Sequence, residues 1–118
     1  LYREIAAKYG DSVYERIDVS ATYAQKEILA RLSPKDVHVK ELAGERILRM
    51  ITLAPGDKTP IGGLKVIAEN CWFAVRPSGT EDIYKIYAES FKGREHLERI
   101  ISEAQEIVND TFLHLGKT

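Results

Sequence analysis

The chain has 118 residues, 44% of them hydrophobic and 30% charged, with 17 basic against 18 acidic side chains and a net charge of −1. Those proportions suit one soluble globular domain with a single core rather than a disordered segment. The balanced charge argues against a nucleic-acid or anionic-membrane partner, because phosphate neutralisation calls for a basic surplus, and no apolar run approaches the length of a membrane helix.

The chain opens at Leu1 without an initiator Met and enters a helical stripe of Tyr2, Ile5, Ala6 and Tyr9. A fragment or processed chain is therefore expected. Gly10 stands where that short helix ends, since glycine accepts a left-handed backbone without steric cost. Residues 1–10 are expected to link from a preceding domain, with 11–118 as the domain proper. Residues 12–19 alternate Val13, Ile17 and Val19 with charged neighbours, a strand pattern. Ala21, Ala24, Ile28 and Leu32 follow at helical spacing, and Ser33-Pro34 stops that helix.

The middle of the chain reads as strands. Val37 to Leu42 and Ile47 to Leu53 flank Ala43-Gly44. Pro55-Gly56-Asp57, Pro60 and Gly62-Gly63 make a turn-rich connection. Leu64, Val66 and Ala68 alternate with Lys65 and Ile67, and Trp72 to Val75 is a second strong run. Glu69-Asn70-Cys71 joins the two as a hairpin. Trp72 and Phe73 fall on alternating faces, as packing in the core or at a domain interface. Residues 83–88 form another strand. After Gly93, the stripe Leu97, Ile100, Ile101, Ala104, Ile107, Val108 and Phe112 predicts a long amphipathic helix with its carboxylates on a solvated face.

Consecutive strands joined by tight turns predict a mainly antiparallel sheet. With helices packed on one face, the expected class is α+β, a two-layer sandwich. The lone Cys71 forms no internal disulfide, which fits a reducing cytoplasm. His38, His96 and His114 lack partners at zinc spacing and are read as surface residues rather than metal ligands.

The segment with chemistry in it is Arg76-Pro77-Ser78-Gly79-Thr80, at the end of a strand. Arg76 offers a planar fork of donors that matches two phosphate oxygens. Ser78 and Thr80 add hydroxyls, and Gly79 lets its amide approach an anion with no Cβ in the way. Pro77 stiffens the bend. The same residue types also suit any tight turn, so composition alone leaves a plain β-turn open. Lys85 lies on the strand leaving the loop, where it either returns beside Arg76 or points to water. Glu81 and Asp82 oppose an anion unless they point away, pair with a cation or bond a sugar hydroxyl. No nucleotide P-loop and no dinucleotide fingerprint is present.

The run Trp72-Phe73-Ala74-Val75-Arg76-Pro77-Ser78-Gly79-Thr80-Glu81-Asp82, continuing through Tyr84-Lys85-Ile86-Tyr87-Ala88-Glu89-Ser90, resembles the C-terminal phosphate loop and following strand of the α-D-phosphohexomutase superfamily. Pro60-Ile61-Gly62-Gly63-Leu64-Lys65-Val66 and Leu32-Ser33-Pro34 extend the resemblance over nearly the whole chain. The Glu-Asp-x-Tyr-Lys-Ile-Tyr continuation is closer to the bacterial phosphoglucomutase branch than to the phosphomannomutase or phosphoglucosamine mutase branches.

The resemblance implies the fourth of four domains, a small α+β unit. The family it points to interconverts glucose 1-phosphate and glucose 6-phosphate through glucose 1,6-bisphosphate. A phosphoserine of the first domain and Mg2+ held by aspartates of the second carry out the transfer. By the same resemblance Arg76, Ser78, Gly79, Thr80 and Lys85 bind the substrate phosphate that is not reacting. No catalytic or metal-binding residue is expected in this chain, and alone it is expected to be inactive. Its expected partners are a hexose phosphate and the other three domains of a cytoplasmic enzyme. Two positions depart from the pattern. Cys71 stands where relatives tend to carry glycine, a strained choice if the turn needs a positive φ. Lys85 stands where several carry arginine, which keeps the charge and loses the fork. Another phosphohexomutase is the nearest alternative function, and an anion- or nucleic-acid-binding module a more distant one.

Overall fold

The computed structural model describes residues 12–32, 37, 39–52 and 62–115. The helix expected over 1–9, the stop at Ser33-Pro34, the turn at residues 55–60 and His38 lie outside the described residues. Six strands form one antiparallel sheet in the order β1-β6-β5-β4-β3-β2. They are β1 (Val13–Ser20), β2 (Glu41–Leu42), β3 (Glu45–Thr52), β4 (Leu64–Ala68), β5 (Cys71–Pro77) and β6 (Ile83–Ser90). Two helices are described, α1 (Tyr23–Ala30) and α2 (Arg94–Leu115).

The alternation read in residues 12–19 holds through β1. Val13, Ile17 and Val19 pack against the core, while Tyr14, Arg16 and Asp18 face outward. Helix α1 begins with a reciprocal cap: the Gln25 amide donates to Thr22 Oγ1 at 3.1 Å, and the Thr22 amide donates to Gln25 Oε1 at 2.9 Å. The pair satisfies two amides that an uncapped helix leaves orphaned. The chain leaves β1 at one edge of the sheet and re-enters as β2 at the other, so α1 crosses the covered face. Strands β2 to β6 then return as a meander until β6 lies beside β1.

Of the run expected over 37–42, only Glu41–Leu42 pairs in the ladder. Val37 is buried without joining it, entering the core from a connecting segment. The β2–β3 turn places Ala43 at φ 52° and Gly44 at φ 84°, the primed geometry that matches the twist of a two-residue hairpin. A left-handed alanine costs about 1–2 kcal/mol. Helix α2 holds it there: Glu103 Oε1 accepts the Ala43 amide at 2.7 Å, and His96 Nε2 lies 3.3 Å from the Ala43 carbonyl oxygen. Part of the expected solvated face of α2 is therefore used internally, and His96 is a partly buried, bonded residue rather than a surface one.

Both helices pack on the same face of the sheet, giving the two-layer α+β sandwich. Phe73, Val75, Ile86 and Leu64 from the strands meet Leu29, Leu97 and Ile100 from the helices, each essentially excluded from water. Full burial of such side chains contributes roughly 1.5–3 kcal/mol apiece. Tyr84 joins them, its ring edge-on to Phe112 at 6.0 Å. The opposite face carries Lys65, Trp72, Arg76, Lys85 and Tyr87. No helix among the described residues is long and apolar enough to cross a membrane.

Entry into β4 depends on Gly63, at φ 135°, where a Cβ would stand 2.2 Å from the Val75 carbonyl oxygen on β5. Backbone cannot yield cheaply there. Gly63→Ala is therefore expected to destabilise the chain by about 2 kcal/mol or more, from overpacking and backbone strain together. Urea unfolding measures this, and a change below ~0.5 kcal/mol would contradict the close approach.

Candidate anion-binding site

Strands β5 and β6 are joined by residues 78–82, and their register sets Arg76 directly opposite Lys85. Opposed residues in an antiparallel pair share a face, with Cβ atoms ~4.5–5.5 Å apart. Like charges so placed normally repel, and both would be expected to find counterions. Neither has one among the described residues. The Arg76 side chain forms no hydrogen bond or ion pair among the described residues, and its Nε is buried without a partner. Lys85 likewise has no ion pair within 4 Å among the described residues; Asp18, its cross-strand neighbour on β1, lies 3.6 Å from Arg16. The two cations instead line an open pocket of about 200 Å³ together with Pro77, Ser78, Gly79, Thr80 and Tyr87.

The loop is organised around Ser78. Its amide donates to the Ile83 carbonyl at 3.0 Å, closing the hairpin. Its Oγ accepts the Thr80 amide at 3.3 Å and the Glu81 amide at 3.1 Å. A serine hydroxyl bonding amides two and three residues on is a local turn that competes with regular structure and fixes the bend. The hydroxyl proton remains available to a ligand. Fewer main-chain amides are free than the residue types suggest: of Ser78, Gly79 and Thr80, only Gly79 keeps an amide with no internal acceptor. The site therefore consists mainly of side chains. It contains a guanidinium, an ammonium, two hydroxyls and a glycine amide.

Glu81 and Asp82 are kept from spoiling it. Lys26, projecting from α1, donates to the Glu81 carbonyl oxygen at 2.7 Å and lies 3.5 Å from Asp82 Oδ1. The Ala21 amide donates to the Asp82 carbonyl oxygen at 2.9 Å. The start of α1 thus pins the far side of the loop, and Lys26 offsets the acidic charge there. No local sequence signal pairs residue 26 with residue 82. Tyr87 also lines the pocket, without having stood out by chemical type in the sequence. It follows Lys85 by two positions on a strand, and that period of two was the available signal.

Residues 15–107 match the family model for the phosphoglucomutase/phosphomannomutase C-terminal domain. The chain belongs to that family. It is a phosphohexomutase C-terminal domain, 51% identical over 111 residues to a phosphoglucomutase of Komagataeibacter xylinus. That match covers 94% of this chain and 20% of the relative. A probable phosphoglucosamine mutase of Methanococcoides burtonii is 33% identical over 78 residues, covering 66% of this chain and 16% of the relative. A phosphoglucosamine/phosphogalactosamine mutase of Sulfurisphaera tokodaii is 34% identical over 64 residues, 54% of this chain and 14% of the relative. The chain thus spans a fifth or less of the length of these relatives.

Elsewhere in this phosphohexomutase domain, Glu45, Cys71 and His96 bring potential ligand atoms within 4.8 Å of one another. Their donors and acceptors are already engaged. Glu45 accepts from the Asn70 amide at 2.8 Å and the Asn70 side chain at 2.9 Å, and lies 3.3 Å from Lys92 Nζ. His96 Nδ1 is 2.7 Å from Ser90 Oγ. Burial raises the Glu45 pKa, but the bonds from Asn70, Lys92 and Cys71 outweigh it and leave the group below its ordinary value. The cluster ties the β4–β5 turn to the start of α2. A mixed Cys/His/Glu set is also a poor match to Mg2+, which takes oxygen ligands and retains water.

Cys71 lies in β5 rather than in a left-handed turn, and Ala43 alone among the described non-glycine residues has a positive φ. The strain considered for Cys71 is therefore absent. Burial, followed by the charge of Glu45, pushes its thiol up to about 12. Since the thiolate is the reacting form, Cys71 is expected to resist alkylation by iodoacetamide at pH 8 and to label fully in urea. Rapid labelling of the native chain would contradict the placement.

Proposed function

We propose that this domain grips the non-reacting phosphate of a hexose phosphate for a full-length phosphoglucomutase. The observation that carries the reading is the unpaired Arg76–Lys85 couple facing one open pocket beside Ser78, Gly79 and Thr80. Two adjacent cations without counterions are unfavourable in an empty fold. A phosphate dianion in the pocket turns that repulsion into attraction for both. Arg76 offers parallel N–H donors to two oxygens, and Lys85 acts as a point charge. Ser78 and Thr80 donate hydroxyl protons, and the Gly79 amide completes the set. The greater identity to a phosphoglucomutase than to the phosphoglucosamine mutases supports glucose phosphates as substrate.

The division of labour follows from the reaction. Phosphoryl transfer relies on positioning and charge stabilisation more than on covalent chemistry by the protein. In this reading a serine and Mg2+ of other domains serve the reacting phosphate, the metal neutralising developing charge. In the same reading no residue of this chain is a ligand to it. Here Arg76, Lys85 and the loop hold the opposite end of the sugar. Binding energy gained at that remote phosphate orients the reacting end, so its loss reaches kcat as well as KM. A clamp of side chains around a tetrahedral dianion is indifferent to which carbon bears the phosphate, as interconversion of 1- and 6-phosphates requires.

In the full-length enzyme, Arg76→Ala is expected to lower kcat/KM for glucose 1-phosphate by about 30- to 150-fold, the equivalent of ~2–3 kcal/mol for a charged hydrogen-bonding group. Because Arg76 has no internal partner, the same variant should melt within a few degrees of the parent. A coupled assay and a thermal melt measure the two. Unchanged kinetics would remove Arg76 from the clamp.

A further inference from the structure

We infer that Tyr87 is a further contact of this clamp, its hydroxyl donating to a phosphate oxygen from the side opposite the loop. The inference rests on the phosphate-binding reading above and adds a residue to it. Tyr87 lines the same pocket as Arg76 and Lys85. It follows Lys85 by two residues on β6 and so projects on the same face, ~7 Å further along the strand. The register sets it opposite Ala74 on β5 and Arg16 on β1. Ala74 has no bulk with which to pack a phenol ring, and Arg16 lies 3.6 Å from Asp18.

Two other described tyrosines have visible packing roles, and a third, Tyr23, is exposed on α1 beside Glu27. Tyr84 is buried edge-on against Phe112, and Tyr14 lies 6.3 Å from the Trp72 ring. Among the described residues Tyr87 has neither a ring contact nor a hydrogen bond. Its hydroxyl is therefore an uncommitted donor in the wall of a pocket whose other polar groups favour an anion. Loop residues 78–80 bound the pocket on one side, Arg76 and Lys85 form its middle, and Tyr87 closes the strand side. A tetrahedral dianion has oxygens directed to all three. The phenol adds a donor without adding another positive charge to an already repulsive pair.

Tyr87→Phe in the full-length enzyme removes the hydroxyl and keeps the ring. The expected result is a rise of about tenfold in KM for glucose 1-phosphate, with an equal weakening of competitive inhibition by inorganic phosphate and an unchanged melting temperature. Inorganic phosphate has no sugar, so its inhibition constant separates a phosphate contact from a sugar contact. If either constant stays at the parent value while Arg76→Ala weakens both, Tyr87 is no phosphate ligand and the clamp stands without it. If neither variant changes either constant, the clamp itself fails.

Discussion

The pairing of Arg76 with Lys85 across β5 and β6 is the constraint on which the site depends. A ladder register is set by backbone hydrogen bonds and by which residues face the core, and a slip of one residue would turn every side chain to the other face. Here Phe73, Val75, Tyr84 and Ile86 pin the register from beneath, because each is buried against the helices. Their burial leaves Arg76 and Lys85 no alternative but to emerge together on the open face. The apolar core thus does the electrostatic positioning. It holds two like charges side by side that would separate if they were free to do so.

The carboxylates nearby have partners of their own. Asp18 lies near Arg16, and Asp82 near Lys26. Further along the same face, Glu89 is only 6% exposed and accepts from the Trp72 indole at 3.0 Å, with its second oxygen unpartnered. Burial raises the Glu89 pKa. Lys65, the remaining cation beside this pair, sits 4.6 Å above the Trp72 ring. Surface ion pairs of this kind contribute little to stability. Their consequence here is local, since Arg16 and Lys26 partly offset the charge of Asp18 and Asp82 near the site.

Much of this was legible from residue order. Alternation in Leu64–Ala68 and around Phe73 marked the buried strands, and the stripe from Leu97 to Phe112 marked the helix that covers them. Arg76, Ser78, Gly79, Thr80 and Lys85 stood out by chemical type, whereas Tyr87 did not, although it follows Lys85 by one strand period. Contacts between distant segments were not legible. Nothing local ties Lys26 to Asp82, or Glu103 to the strained Ala43, because topology rather than sequence spacing brings them together. The number of free loop amides was not legible for a related reason: whether Ser78 Oγ turns inward to accept from Thr80 and Glu81 is a rotamer choice that composition does not encode. His96 looked isolated in sequence because Ser90 and the Ala43 carbonyl reach it only in the folded chain.

The central claim is that an unpaired guanidinium and ammonium are held open for a phosphate. A crystal structure of the full-length protein with glucose 1-phosphate bound tests it most directly. The account requires phosphate oxygens within hydrogen-bonding distance of the Arg76 guanidinium and Lys85 Nζ, with the Ser78 hydroxyl turned toward them. A sugar phosphate bound elsewhere, with Arg76 paired to an internal carboxylate, would contradict it.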